Sequence, residues 1–180
     1  MNITTSHPAN IFKHCPACGS TSFNFDGTKA FNCSSCGFKF YLNAATATAA
    51  ILVDATGNIL LTKRKFEPSA GYLDLPGGFV DLGERVEDCL KREIIEELGI
   101  SINEITFLAS FPNEYRFKNI SYFTCDLAFV CPVDNFNHIK PNDDVADAVI
   151  VSPFEIDYSK ISFKSIENIL KLYVNSLTKK

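Results

Sequence analysis

One stretch constrains this chain more than its overall composition does: the 23 residues from Gly78 to Ile100, GFVDLGERVEDCLKREIIEELGI. Glu93, Glu96 and Glu97 stand three and four residues apart, so a helix places all three on one narrow stripe. Glu93 then repels Glu96 and Glu97, at about 0.2 to 0.5 kcal/mol per like-charge pair. The positions four residues beyond Glu96 and Glu97 are Ile100 and Ser101, which bring no cation. A bound divalent cation would remove the conflict. Hard carboxylate oxygens suit magnesium or manganese, which keep several waters and share their shell with substrate phosphates. The same residues also fit a solvated acidic face, because Leu90, Ile94 and Leu98 supply the apolar stripe that any surface helix needs. Local violations of helix chemistry concentrate at functional sites, and that weighs toward the metal.

The stretch resembles the Nudix box of the Nudix hydrolases at all nine fixed positions: Gly78, Glu84, Arg92, Glu93, Ile94, Glu96, Glu97, Gly99 and Ile100. The resemblance implies that Glu93, Glu96 and Glu97 coordinate magnesium (or manganese), that Glu84 binds metal or its water shell, and that Arg92 holds Glu93 in place. It also implies that Gly78 lends its carbonyl to a metal, and that Glu93 or a carboxylate from a later loop is the general base. The common logic is that metals neutralise a diphosphate and acidify a bound water, which attacks one phosphorus in line.

Four of the seven cysteines form two Cys-x2-Cys pairs, Cys15 with Cys18 and Cys33 with Cys36, separated by fourteen residues. Such pairs close a tetrahedral thiolate site, so structural zinc is the expectation; a pair of disulfides is the rival. His14 is incidental beside four thiolates. Cys89, Cys125 and Cys131 read as small buried hydrophobes. Between the pairs, Ser22 to Phe25 and Lys29 to Asn32 flank Asp26-Gly27, a hairpin signal, and Phe38 to Leu42 supplies a third strand. This resembles the zinc ribbon ahead of the catalytic domain in several Nudix groups. The expected division is a tail and ribbon over residues 1–43 and a Nudix hydrolase domain over 44–180.

In the second part, Thr46 to Val53 and Ile59 to Lys63 read as a strand hairpin turned by DATGN. Lys63, Arg64 and Lys65 form a short basic patch, a solvated strand end or, for Arg64, a contact to substrate phosphate. Pro76-Gly77-Gly78 forces a bend, the box helix is expected from about Arg85 to Leu98, and Gly99 fits a left-handed cap. Ile105 to Phe111 and Tyr122 to Val130 read as strands joined by FPNEYRFKN, a long hairpin loop or a bulged turn. Phe111, Tyr115, Phe117 and Tyr122 are candidates to stack on a nucleobase, against the plainer reading of core packing; Phe111 and Tyr115 are the chosen substrate contacts. KPNDDVAD, residues 140–147, reads as a polar loop from which Asp143, Asp144 or Asp147 could complete the site. Ala148 to Val151 is a strand, and a helix from about Ser162 to Leu177 should pack on the sheet face opposite the box helix. The expected fold is therefore an α/β/α sandwich of the Nudix type with a mixed central sheet, preceded by the ribbon.

Net charge is -4 and no basic block appears, which argues against nucleic acid as a partner. The first residues lack signal-peptide features and no apolar run approaches about 18 residues, so a cytoplasmic protein is expected, with no membrane partner and a possible homodimer. Box and ribbon together imply magnesium-dependent hydrolysis of a nucleoside diphosphate linked to another group, of the ADP-ribose, NADH or FAD type. Alternatives are hydrolysis of dinucleoside polyphosphates or nucleoside triphosphates, a non-catalytic nucleotide-sensing regulator, and prenyl diphosphate isomerisation, which needs an altered box.

Overall fold

The computed structural model of the protein describes residues 3–178. The chain divides into two compact units, one of residues 1–44 with 114–123 and the other of residues 45–113 with 124–180. In the first, His7 caps a one-turn helix, α1 (Pro8–Ile11): its Nδ1 accepts the Ala9 N–H, and Pro8 occupies the first turn, where no amide donor is needed. Three strands follow, β1 (Phe23–Phe25), β2 (Ala30–Cys33) and β3 (Lys39–Tyr41), antiparallel and adjacent in that order. The hairpin returns one residue later than expected because Asp26 Oδ1 accepts the N–H groups of Thr28, Lys29 and Ala30, which makes Lys29 part of the turn. Phe23 and Phe31 stack at 5.0 Å and form the buried core with Cys15 and Cys33. Residues 114–123 join this unit through Ser121, whose N–H donates to the Ser6 carbonyl at 2.7 Å.

The second unit is built on a mixed sheet of six strands. They are β4 (Ala45–Val53), β5 (Ile59–Arg64), β6 (Leu73–Asp74), β7 (Thr106–Phe117), β8 (Ile120–Pro132) and β9 (Val145–Val151). β4 and β8 run parallel, with Ala45 opposite Thr124 and Val53 opposite Pro132. β5 pairs antiparallel with β9 along one edge, and with β4 and then β6 along the other. Strand alternation sends Ile51, Ile59 and Leu61 to one face and Ala50, Leu52 and Leu60 to the other. Helix α2 (Val86–Leu98) covers the second face with Leu90, Ile94 and Leu98, and α3 (Lys164–Leu177) covers the first with Ile166, Ile169, Leu170 and Tyr173. This is the expected α/β/α sandwich. No helix among the described residues is long and apolar enough to cross a membrane.

Two expectations are corrected. FPNEYRFKN is not a long loop: β7 runs unbroken to Phe117 and turns through Lys118 and Asn119, with Lys118 at φ 54°. Pro112 fits within β7 because β7 is the last strand of the sheet, where a residue without an N–H is tolerated. β9 likewise starts at Val145, so the expected polar loop is shorter than 140–147 and Asp147 lies within a strand, opposite Lys63.

Candidate active site and metal centre

The box loop is held against β4 as an added strand. Pro76 and Gly78 carbonyls accept the N–H groups of Ala50 and Thr48, each at 2.8 Å, and the Val80 N–H donates to Thr46 O at 3.1 Å. The approach is close enough to require glycine. A Cβ on Gly77, which sits at φ 141°, would fall 2.3 Å from Thr48 O, and one on Gly78 would fall 2.5 Å from the Glu93 carboxyl carbon. Small residues at Ala47, Ala49 and Ala50 suit such packing.

α2 then presents its acids to this loop, and it ends as expected at Gly99, φ 69°, whose N–H donates to Ile95 O. Arg92 is the hub. Its Nε and Nη2 grip both oxygens of Glu84 at 2.8 and 2.9 Å, and Nη1 reaches Glu93 Oε1 at 2.8 Å and Glu96 Oε2 at 3.1 Å. That corrects the reading of a stripe with no cation, because Arg92 stands four residues before Glu96 and offsets it. Hydrogen bonds from Arg92, then from the Asp81 amide, hold the Glu84 carboxyl down at about 2. With both oxygens engaged, Glu84 anchors Arg92.

Glu97 has no such partner. It is 8% exposed, and among the described residues its carboxylate accepts only the Gly77 N–H, at 3.0 Å. Burial pushes it up to about 8, against the pull of that amide, and the charges of Glu93, Asp74 and Asp144 push the same way. Burial also raises Glu93, opposed by Arg92 and reinforced by Glu96 and Asp143. The acid left without an ion pair is therefore Glu97, while Glu93 keeps Arg92; the charges of Asp143 and Asp144 reach Glu93 and Glu97 from the segment 140–144. That segment is pinned to the end of α2, since Lys140 and Asn142 donate N–H groups to the Leu98 and Glu97 carbonyls at 3.0 and 2.9 Å. These carbonyls are helix-end acceptors that need a partner.

Four residues expected at the site have partners within the chain. The Gly78 carbonyl accepts from the Thr48 N–H at 2.8 Å and from the Thr48 hydroxyl at 3.3 Å, which occupies both lone-pair directions. The neighbouring Gly77 turns its N–H to Glu97. Arg64 is not a phosphate contact in this arrangement: it donates to Pro68 O at 2.8 Å and buried Asp74 at 2.9 Å and lies 5.0 Å over the Phe163 ring. Phe111 packs on the core cluster under α3, while Tyr115 stacks on Tyr122 at 5.5 Å within the first unit. Sequence reasoning missed Thr48, Asp74 and Phe79, the last 46% exposed immediately after Gly78. The doubled glycine after Pro76 was the one available signal for Gly77.

In the first unit the sulfurs of Cys15, Cys18, Cys33 and Cys36 all lie within 4.8 Å of one another, with Cys15 to Cys36 at 3.8 Å and Cys18 to Cys33 at 3.7 Å. Zinc–thiolate bonds of about 2.3 Å at the tetrahedral angle require sulfurs about 3.8 Å apart, and the site meets that test. Gly19 and Gly37, at φ 73° and 77°, turn each knuckle back by donating to the Cys15 and Cys33 carbonyls at 2.8 and 3.0 Å. Four donors leave no position open, which marks a structural site.

The fold, the box helix and its arginine hub define a NUDIX domain, and the NUDIX domain family model matches residues 43–169; the chain belongs to that family. Among its relatives, the NAD-capped RNA hydrolase NudC of Haemophilus influenzae (strain PittGG) is 30% identical over 126 residues, 69% of this chain and 47% of that protein. The chain thus matches about half the length of such relatives. An ADP-ribose pyrophosphatase of Methanocaldococcus jannaschii is 46% identical over 63 residues, 35% of this chain and 37% of that protein. A NUDIX hydrolase structure from Nitrosomonas europaea shares the fold at TM-score 0.69, with 24% identity and 92% of each chain covered.

Proposed function

We propose that the protein is a divalent-metal-dependent pyrophosphohydrolase that cleaves the diphosphate of a nucleoside diphosphate joined to a second group, of the ADP-ribose, NADH or FAD type. The observation that carries this is the set of carboxylates that α2 brings to the box loop, with Glu93 against Gly78 and buried Glu97 on the Gly77 N–H, under the added charge of Asp143 and Asp144. The names of relatives that act on an NAD cap and on ADP-ribose support the substrate class.

Glu93, Glu96 and Glu97, with the Gly77 carbonyl in place of Gly78, are the residues that would hold magnesium or manganese. When bound, the cation supplies charge neutralisation for the diphosphate and acidifies water. The chain's own part is positional. Arg92 fixes Glu93 and Glu96 in orientation, and Glu84 fixes Arg92 in turn. Gly77 and Gly78 let backbone and carboxylate meet without a side chain between them. A carboxylate from segment 140–144, or Glu93, would take the proton of the attacking water. Phe79, exposed beside Gly78, offers a ring face to a base. The ribbon cysteines would hold structural zinc. The test is a panel of ADP-ribose, NADH, FAD, coenzyme A, diadenosine polyphosphates and nucleoside triphosphates assayed with magnesium, with products resolved by chromatography. Turnover of a dinucleotide or ADP-ribose with release of two monophosphates supports the proposal, and turnover of none by zinc-loaded, folded protein overturns it.

A further inference from the structure

Lys65 is a cation bonded to the carboxylate segment that the proposed reaction does not use. It follows β5 directly, and it grips residues 143 and 144 twice: its N–H donates to Asp144 O at 2.9 Å, and its ammonium donates to Asp143 O at 3.1 Å while lying 5.1 Å over the Phe66 ring. Among the described residues it forms no ion pair within 4 Å, so its charge is not consumed by a single acid. The segment it grips is otherwise tied only on the far side, by Lys140 and Asn142 to the end of α2. Between these two ties the chain makes a sharp reversal. Val145 N–H closes on Asn142 O at 3.0 Å, and Asp143 takes φ 51°, a left-handed conformation that aspartate adopts more readily than most residues other than glycine. The side chains carried by this reversal are the two acids whose charges act on Glu93 and Glu97.

We propose that Lys65 is a positioning residue for the metal site: its ammonium, on the Asp143 carbonyl, completes the hold that its main-chain N–H begins at Asp144, and its charge lets two further carboxylates stand near Glu93 and Glu97 before any cation arrives. The role is distinct from the phosphate contact expected of its neighbour Arg64, because Lys65 acts through backbone carbonyls of an acidic segment. It rests on the reading of that segment as part of a cation site, so its test includes a measurement that needs no substrate.

The experiment compares wild type, Lys65→Met and Lys65→Arg, and repeats Lys65→Met in an Asp143→Asn/Asp144→Asn background. Manganese affinity is followed by electron paramagnetic resonance on substrate-free protein, alongside kcat, KM and the magnesium concentration for half-maximal rate on whichever nucleotide the panel identifies. Removal of a residue that orients metal ligands costs about 10- to 100-fold in affinity or activity. Lys65→Met is expected to weaken manganese binding and raise the magnesium requirement about tenfold, with KM for nucleotide at saturating magnesium within about threefold of wild type. Lys65→Arg, which keeps charge and donors, should recover most of the loss. In the Asn/Asn background Lys65→Met should cost little more, since the residues it acts through are neutral. Unchanged manganese affinity in Lys65→Met overturns the proposal, as does an equal loss in Lys65→Arg or full additivity with the Asn/Asn pair. Absence of turnover on every nucleotide with the manganese pattern intact would instead count against the hydrolase reading alone.

Discussion

Replacing Glu97 by glutamine should make the metal-free protein more stable while removing its response to magnesium. The carboxyl is buried, meets one amide donor, and sits at about 8 in the fold against an ordinary 4.5. Between those two values the folded chain binds more protons than the unfolded chain, so its stability falls as pH rises through the window. Worked through linkage, the cost is about 3 kcal/mol at pH 7 and about 4 to 5 kcal/mol above pH 8, as upper figures for one group. A glutamine oxygen can still accept the Gly77 N–H, and its amide group then needs a partner in the same space, which returns about 1 to 2 kcal/mol. The net expectation in EDTA is a gain of about 1 to 3 kcal/mol near pH 8 and almost none near pH 5. The assay is urea unfolding at both pH values, with EDTA and with saturating magnesium. Wild type should be rescued by magnesium at high pH, the variant should not, and turnover should fall by at least about 100-fold. A variant less stable than wild type in EDTA at pH 8, or one that keeps the full magnesium effect, would refute the argument that an unrelieved carboxylate is what the cation satisfies.

Gly77→Ala should cost about 2 to 4 kcal/mol and most of the activity, because its Cβ meets a strand carbonyl that cannot yield. Gly78→Ala meets the end of the Glu93 side chain instead, so thermal denaturation should show the smaller loss and metal titration the larger one. Arg64→Ala leaves Asp74 buried without its cation, an expected loss of about 3 to 5 kcal/mol in chemical denaturation, whereas KM for nucleotide in Arg64→Lys should stay within about twofold; a tenfold rise in KM would restore Arg64 as a phosphate contact. Purified protein should carry one zinc per chain by atomic emission, and Cys18→Ser or Cys36→Ser should abolish it and unfold the ribbon, as judged by loss of its amide resonances.

The parts legible in advance are those where chemistry is local in sequence. Gly99 could be placed at the end of α2, and four cysteines at one centre, because a cap and a knuckle each depend on residues a few positions apart. The two faces of the sheet were also readable, since Leu90, Ile94, Leu98 and Ile166, Ile169, Leu170 keep helical spacing. The misreadings fall where a side chain is claimed by something distant. Arg64 stands between Lys63 and Lys65 at a strand end and resembles a phosphate reader, yet Asp74, ten residues away, and Phe163, just before α3, take it up. Phe111 and Tyr115 are four residues apart on one strand and end in different compact units. The same distinction explains the acidic stripe. Its repulsion was computed along the helix alone, which made Glu96 look as unrelieved as Glu97. Arg92 removes that equivalence: it reaches Glu84, Glu93 and Glu96 but makes no contact with Glu97, which instead turns inward to a loop amide. The conflict that a cation resolves is thus concentrated at the buried end of the stripe, where segment 140–144 adds charge from outside the helix, and the metal requirement follows from tertiary structure more than from the spacing of three glutamates.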